Sequence, residues 1–175
     1  MQTTFQKPAF DTFSSPFLRD LESQFENIRN EYRFVAGKRL YMQWPETFLY
    51  NEGWNVFGLR FAGKNIESAH AICPAISAFI NRHDNLLETA GFSILEPGTI
   101  IKPHVGYTNK VLRCHLGIQI PEGDCCLRVA GIEKKWKEGE AFIFDDTLEH
   151  EAWNKTGEVR IVMLFDLVKD VLAGT

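Results

Sequence analysis

Two histidines carry the most suggestive chemistry in this chain: His104, in Lys102-Pro103-His104-Val105-Gly106, and His150, in Asp145-Asp146-Thr147-Leu148-Glu149-His150. Neutral imidazole suits several transition metals, so two such rings brought together across a β-fold point to a metal site. Arg160 follows His150 by ten positions, inside the apolar run Val159-Arg160-Ile161-Val162-Met163-Leu164-Phe165. That spacing suits a charged anchor on the next strand over. Arg113 and His115 lie two apart in Leu112-Arg113-Cys114-His115-Leu116-Gly117. In a strand, such residues share a face, so Arg113, His115 and Gly117 line one side and Leu112, Cys114 and Leu116 the other.

Positioning these groups takes a β framework, and the sequence has the texture of one from about Gly91 onward. Short runs such as Phe92-Ser93-Ile94-Leu95, Cys126-Leu127-Arg128-Val129 and Ala141-Phe142-Ile143-Phe144 are parted by turn signals at Glu96-Pro97-Gly98, Pro121-Glu122-Gly123-Asp124 and Lys137-Glu138-Gly139-Glu140. Short strands without intervening helices argue for a sandwich or jelly roll rather than a βαβ sheet. Upstream, Ser15-Pro16 is a helix start followed by Phe17, Leu21, Phe25, Ile28 and Tyr32 at three- and four-residue steps. A second helix is expected from Pro74, with Ile76, Phe79 and Ile80 on one face and an end near 82–85. The chain thus reads as a single domain, 1–175, with a largely helical supporting segment over 12–87 and a β core over 88–170. The N-terminal dozen residues are expected to be loosely held.

Composition limits the partners. The 175 residues are 45% hydrophobic, enough for one sizeable core. The net charge of −4, with scattered Lys and Arg, gives no footprint for nucleic acid or an anionic membrane. No apolar run of membrane-spanning length and no signal-peptide core are present, so a soluble, cytoplasmic protein is expected. Cys73, Cys114, Cys125 and Cys126 form no C-x-x-C pair and read as small buried hydrophobes.

The blocks Ser93-Ile94-Leu95-Glu96-Pro97-Gly98-Thr99, Pro103-His104-Val105-Gly106, Thr108-Asn109, Leu112-Arg113-Cys114-His115-Leu116-Gly117, Phe144-Asp145-Asp146-Thr147-Leu148-Glu149-His150-Glu151 and Arg160 resemble the catalytic domain of the aspartyl/asparaginyl β-hydroxylase family. The resemblance covers roughly residues 45–168. It implies a mainly β protein with flanking helices, a double-stranded β-helix of jelly-roll, cupin-like form, that uses iron(II), 2-oxoglutarate and O2. It implies that His104 and His150 bind the metal and that Asp146 holds a metal-bound water. Arg160 and Ser93 would take the distal carboxylate of 2-oxoglutarate, and Arg113 and His115 its C1 end. Most oxygenases of this chemistry add a carboxylate two residues after the first histidine; here that position is Gly106, a departure the family shares.

The implied reaction is hydroxylation of an unactivated carbon, most directly the β-carbon of an Asp- or Asn-type unit in a small-molecule amino acid, a peptide or a carrier-bound substrate. No nucleic acid or membrane partner is expected, and lipid hydroxylation is disfavoured by the lack of a membrane segment. Two other readings stay open, a non-catalytic metal- and 2-oxoglutarate-binding sensor and a halogenase with chloride in the space at Gly106. Arg113 also reads as a salt-bridge former and His115 as a satisfied core histidine. Asp145 and Glu149 read as a solvated acidic turn. Trp44, Trp54, Trp136 and Trp153 read as packing residues, with Trp153 near enough to His150 to border the site. Residues 41–60 are expected to contribute a pocket wall.

Overall fold

The Ser15 side chain accepts a hydrogen bond from the backbone N–H of Leu18 at 3.1 Å, and Pro16 takes the first helical position of α1 (Pro16–Ser23). In the computed structural model, which describes Phe10, Asp11 and residues 15–172, the apolar stripe expected to form one helix is split. Gln24 leaves helical geometry at φ −89°, ψ 1°, and the chain restarts as α2 (Phe25–Gly37). The break follows Ser23, whose hydroxyl bonds the Asp20 carbonyl at 2.6 Å, a local competition with helix hydrogen bonding. Two further helices follow, α3 (Glu67–Ile72) against α4 (Pro74–Arg82), and α4 packs beside α2, with Ile76, Phe79 and Ile80 buried as the spacing predicts. Of the N-terminal dozen expected to be loose, residues 1–9 and 12 lie outside the described residues. Phe10–Asp11 forms β1.

The strands that follow are β2 (Met42–Gln43), β3 (Trp54–Phe61), β4 (Lys64–Asn65), β5 (Leu87–Leu95), β6 (Ile100–His104), β7 (Val111–Gln119), β8 (Cys125–Val129), β9 (Ile132–Lys134), β10 (Ala141–Phe144), β11 (His150–Asn154) and β12 (Arg160–Val168), with α5 (Lys169–Leu172) closing the described chain. They form two antiparallel sheets. The larger runs β1-β10-β7-β12-β5-β3-β2, with β4 on β3; the smaller runs β6-β11-β8-β9. Their stacking makes the jelly roll. The segment 12–87 therefore supplies more than helical support, because β3 lies in the main sheet beside β5. Gly58 interrupts the apolar alternation of β3, which hides the strand in the sequence.

The two faces of the large sheet have separate jobs. On β12, Ile161, Met163, Phe165 and Leu167 join the core under the helices, together with Cys114 and Leu116 of β7. The opposite face carries Arg160, Val162, Leu164 and Asp166, with Arg113 and His115 across the ladder on β7. Part of that inner face, with Trp54, Phe142 and Phe144, is covered by the small sheet through Ile101, Leu127, Val129 and Ala152. The strands β3 and β5 extend past this cover.

Candidate metal centre

Antiparallel pairing of β6 with β11 sets His104 directly opposite His150, their ring centroids 4.2 Å apart and tilted by 53°. The register slips between His150 and Ala152, and Pro103, which cannot donate to a ladder, sits where β6 forms the edge of the small sheet. His104 Nδ1 lies 2.7 Å from the Lys102 carbonyl and His150 Nδ1 2.9 Å from the Leu148 carbonyl. A carbonyl can only accept, so Nδ1 carries the hydrogen in both rings and both Nε2 lone pairs remain for a metal. Burial pushes the His150 pKa down to about 4, which keeps the ring in its ligand form. Among the described residues no cluster of three His, Cys, Asp or Glu side chains forms, so the protein offers a metal these two imidazoles.

The space at Gly106 is filled from elsewhere. A Cβ at this position would run into the carboxylate of Asp146, and the Gly106 N–H donates to the Asp146 carbonyl at 2.7 Å. Asp146 is fully buried, and neither carboxylate oxygen has a hydrogen-bond partner, although Arg113 Nη2 stands 3.4 Å away. Burial raises its pKa against the pull of Arg113. Two unpartnered carboxylate oxygens beside the histidine pair are acceptors in want of donors, as metal-bound waters are.

Arg160 is 1% exposed, and among the described residues no carboxylate pairs with it. Its Nη1 donates to the Ser93 carbonyl at 3.1 Å and reaches the Ser93 hydroxyl at 3.5 Å, its Cζ lies 4.6 Å from the centroid of the Trp136 ring, and its Nε has no partner among the described residues. Burial pulls its pKa down to about 10. A buried guanidinium left this way has the charge and the free donor that an anion would need. Trp54 Nε1 donates to Ser93 Oγ at 3.1 Å, which leaves the Ser93 hydrogen free to point at that anion. His115 accepts from Trp136 Nε1 at its Nδ1, 3.1 Å, so its hydrogen sits on Nε2, which has no partner. Arg113 is different. Its Nε and Nη2 bind Asp166 at 2.8 and 3.2 Å, the salt bridge that its type alone already allowed.

The structure thus brings His104, His150, Ser93, Arg113, His115 and Arg160 around one chamber, with Asp146 against its edge. The chamber is small, about 30 Å³. Trp54 and Trp136, read from sequence as packing, are the indoles that hold Ser93, His115 and Arg160. Their only sequence signal is residue type, since a buried Trp brings an N–H that needs an acceptor. Trp153 is a correction in the other direction. It alternates with Ala152 onto the outer face, where its N–H donates to Asp124 and Arg128 lies over its ring.

These buried neutral histidines have a consequence for stability. Burial, reinforced by Arg160 and Arg113, lowers the His115 pKa well below 6.5, and His150 sits near 4. Below pH 6.5 the unfolded chain takes up protons that the folded chain refuses, so stability falls as pH drops from about 6.5 toward about 4. The slope approaches about 1.4 kcal/mol per pH unit for each histidine. Asp146, raised by burial, offsets part of this at the acid end. Urea midpoints of the metal-free protein at pH 7 and pH 5 measure the drop, and His115→Gln should roughly halve it.

Comparison with known proteins bears on the family and the fold. A sequence model of the family described as aspartyl/asparaginyl beta-hydroxylase matches residues 22–170. The chain is 35% identical over 171 residues to the ornithine lipid ester-linked acyl 2-hydroxylase of Rhizobium tropici, covering 93% of this chain and 60% of that protein. It is 32% identical over 166 residues to the aspartyl/asparaginyl beta-hydroxylase of Mus musculus, covering 90% of this chain and 22% of that protein. Among solved structures, a prolyl-4-hydroxylase from Pseudomonas putida superposes with a TM-score of 0.57 at 14% identity, covering 91% of this chain and 90% of its own. That likeness concerns the fold.

Proposed function

Because this chain belongs to the aspartyl/asparaginyl β-hydroxylase family, we propose that it is an iron(II)- and 2-oxoglutarate-dependent hydroxylase. The observation that carries the reading is the buried, carboxylate-free Arg160 in the same chamber as an Nε2-directed histidine pair. His104 and His150 would hold the iron, which when bound supplies O2 activation coupled to oxidation of 2-oxoglutarate. Arg160 and the Ser93 hydroxyl would bind the distal carboxylate, and His115 Nε2–H would donate toward the other end of the same molecule. Arg113, already bound to Asp166, would act by charge and by holding that wall. Asp146 would accept from waters at the metal and orient them. Its carboxylate repels a halide from the space at Gly106, which favours hydroxylation over halogenation. The names of the relatives bring both aspartyl or asparaginyl units and a lipid acyl chain within the family's range.

The test is anaerobic titration of iron(II) and 2-oxoglutarate, following the visible charge-transfer band. Wild type should develop the band and His104→Ala should lose it; a wild type without the band sinks the proposal. Trp54→Phe keeps ring bulk but removes the N–H on Ser93 Oγ. It is expected to weaken 2-oxoglutarate binding about two- to tenfold with metal binding unchanged, measured by calorimetry with manganese in place of iron.

A further inference from the structure

Past the cover of the small sheet, β3 and β5 form the floor of a groove of about 550 Å³, bare at its centre because Gly58 and Gly91 are directly paired. A Cβ at Gly91 would come within 2.8 Å of the Phe57 carbonyl, so the close approach of the strands requires this glycine. The groove and the metal chamber share Ser93, Arg113 and Leu164 as a common wall, and two tryptophans divide between them. Trp44 lines the groove and Trp54 the chamber. Their rings stack face to face, with centroids 4.2 Å apart and planes 5° from parallel.

The two indoles do different work. Trp44 spends its N–H on Glu46 at 3.2 Å, so what it gives Trp54 is the face of its ring. Trp54 Nε1 donates to Ser93 Oγ at 3.1 Å, the bond that leaves the Ser93 hydrogen free beside Arg160. An N–H···O bond weakens steeply as it bends, so the tilt of the Trp54 ring decides whether this one is made. Two rings fix that tilt: Trp44 against the face, and Tyr50 edge-on at 5.4 Å and 77°. Trp44 is itself held at both ends of its peptide unit. Its backbone N–H donates to the Trp54 carbonyl at 2.8 Å, and its carbonyl accepts from the Tyr50 hydroxyl at 2.8 Å. Tyr50 also bridges to Ile101 of β6, the strand that ends at His104.

Resting on the hydroxylase reading above, we propose that Trp44 is a positioning residue for the co-substrate. It clamps the Trp54 ring so that the indole N–H stays on Ser93 and the Ser93 hydroxyl is presented to the distal carboxylate of 2-oxoglutarate. Trp44 stands one ring removed from the chamber and acts through Trp54. A residue read from sequence as packing is thereby a determinant of co-substrate affinity, set in the wall of the neighbouring groove.

The test measures 2-oxoglutarate affinity by calorimetry on the manganese-loaded protein and reads the stack itself by circular dichroism. Two indoles stacked this closely couple their excited states into paired far-ultraviolet bands of opposite sign, which loss of either ring abolishes. Trp44→Leu should lose the bands and bind 2-oxoglutarate about two- to tenfold more weakly, with manganese affinity unchanged. Trp44→Phe, which keeps a ring against Trp54, should lose the bands and recover most of the affinity. Trp44→Met, an apolar chain without a ring, repeats the first arm should Trp44→Leu fail to fold. Because the effect runs through the Trp54 N–H, adding Trp44→Leu to Trp54→Phe should change the affinity by less than about twofold. Unchanged 2-oxoglutarate affinity in Trp44→Leu, an equal fall in manganese affinity, no recovery in Trp44→Phe, or a full further loss in the double variant overturns the proposal. So does a wild type without the paired bands, because its rings are then not stacked. The two readings fail separately. A normal iron and 2-oxoglutarate band in wild type with unchanged affinity in Trp44→Leu removes the role of Trp44 alone, whereas a wild type without that band removes the hydroxylase and this role with it.

Discussion

Replacing Arg160 by methionine is expected to make the metal-free protein more stable and nearly unable to bind 2-oxoglutarate. The guanidinium is 1% exposed, and among the described residues no carboxylate compensates it. The Ser93 carbonyl and the Trp136 ring recover part of the desolvation cost, but a buried cation held this way remains unfavourable against an apolar side chain of similar length. Arg160→Met should therefore raise stability by about 1–3 kcal/mol. Losing a desolvated, charge-assisted contact to a carboxylate costs about 2–5 kcal/mol, a fall in affinity of roughly 30-fold to several thousandfold. Urea denaturation and 2-oxoglutarate titration on the same preparation check both halves. A destabilised variant would mean that Arg160 is kept for the fold rather than for a ligand.

The second large effect concerns the absent carboxylate after the first histidine. Restoring it with Gly106→Asp should damage the site, because Asp146 already fills the space where the new side chain would begin. Two carboxylates forced together in a buried place must separate or share a proton. The expected result is a loss of about 2–4 kcal/mol of stability and a metal affinity at least about tenfold lower, read by cobalt(II) titration. Gly106→Asp combined with Asp146→Gly moves the acid to the other segment and should recover much of both. Tighter metal binding by the single variant, or a double variant no better than the single, would refute this account of the space.

Some of this was legible in the chain and some was not, for identifiable reasons. His104, His150 and Arg160 could be picked out because imidazoles and a lone arginine in an apolar run are unusual, and alternation on β7 placed Arg113 and His115 on one face. The partner of Arg113 could not be read, since Asp166 lies 53 residues away and meets it only through the register of β7 with β12. Trp54 and Trp136 were hidden because apolar packing and hydrogen bonding ask for the same residue type. The groove depends on the pairing of Gly58 with Gly91, two residues that announce only local weakness until their strands are aligned.

The hydrogen bonds that set the histidine tautomers bear on how this sequence can diverge. Their acceptors are the main-chain carbonyls of Lys102 and Leu148, present whatever side chains occupy those positions. Substitutions at 102 and 148 can therefore accumulate one at a time without disturbing which nitrogen faces the metal. Arg113 and Asp166 meet side chain to side chain, so either one changed alone strands a buried charge, and that pair is constrained to mutate together or stay.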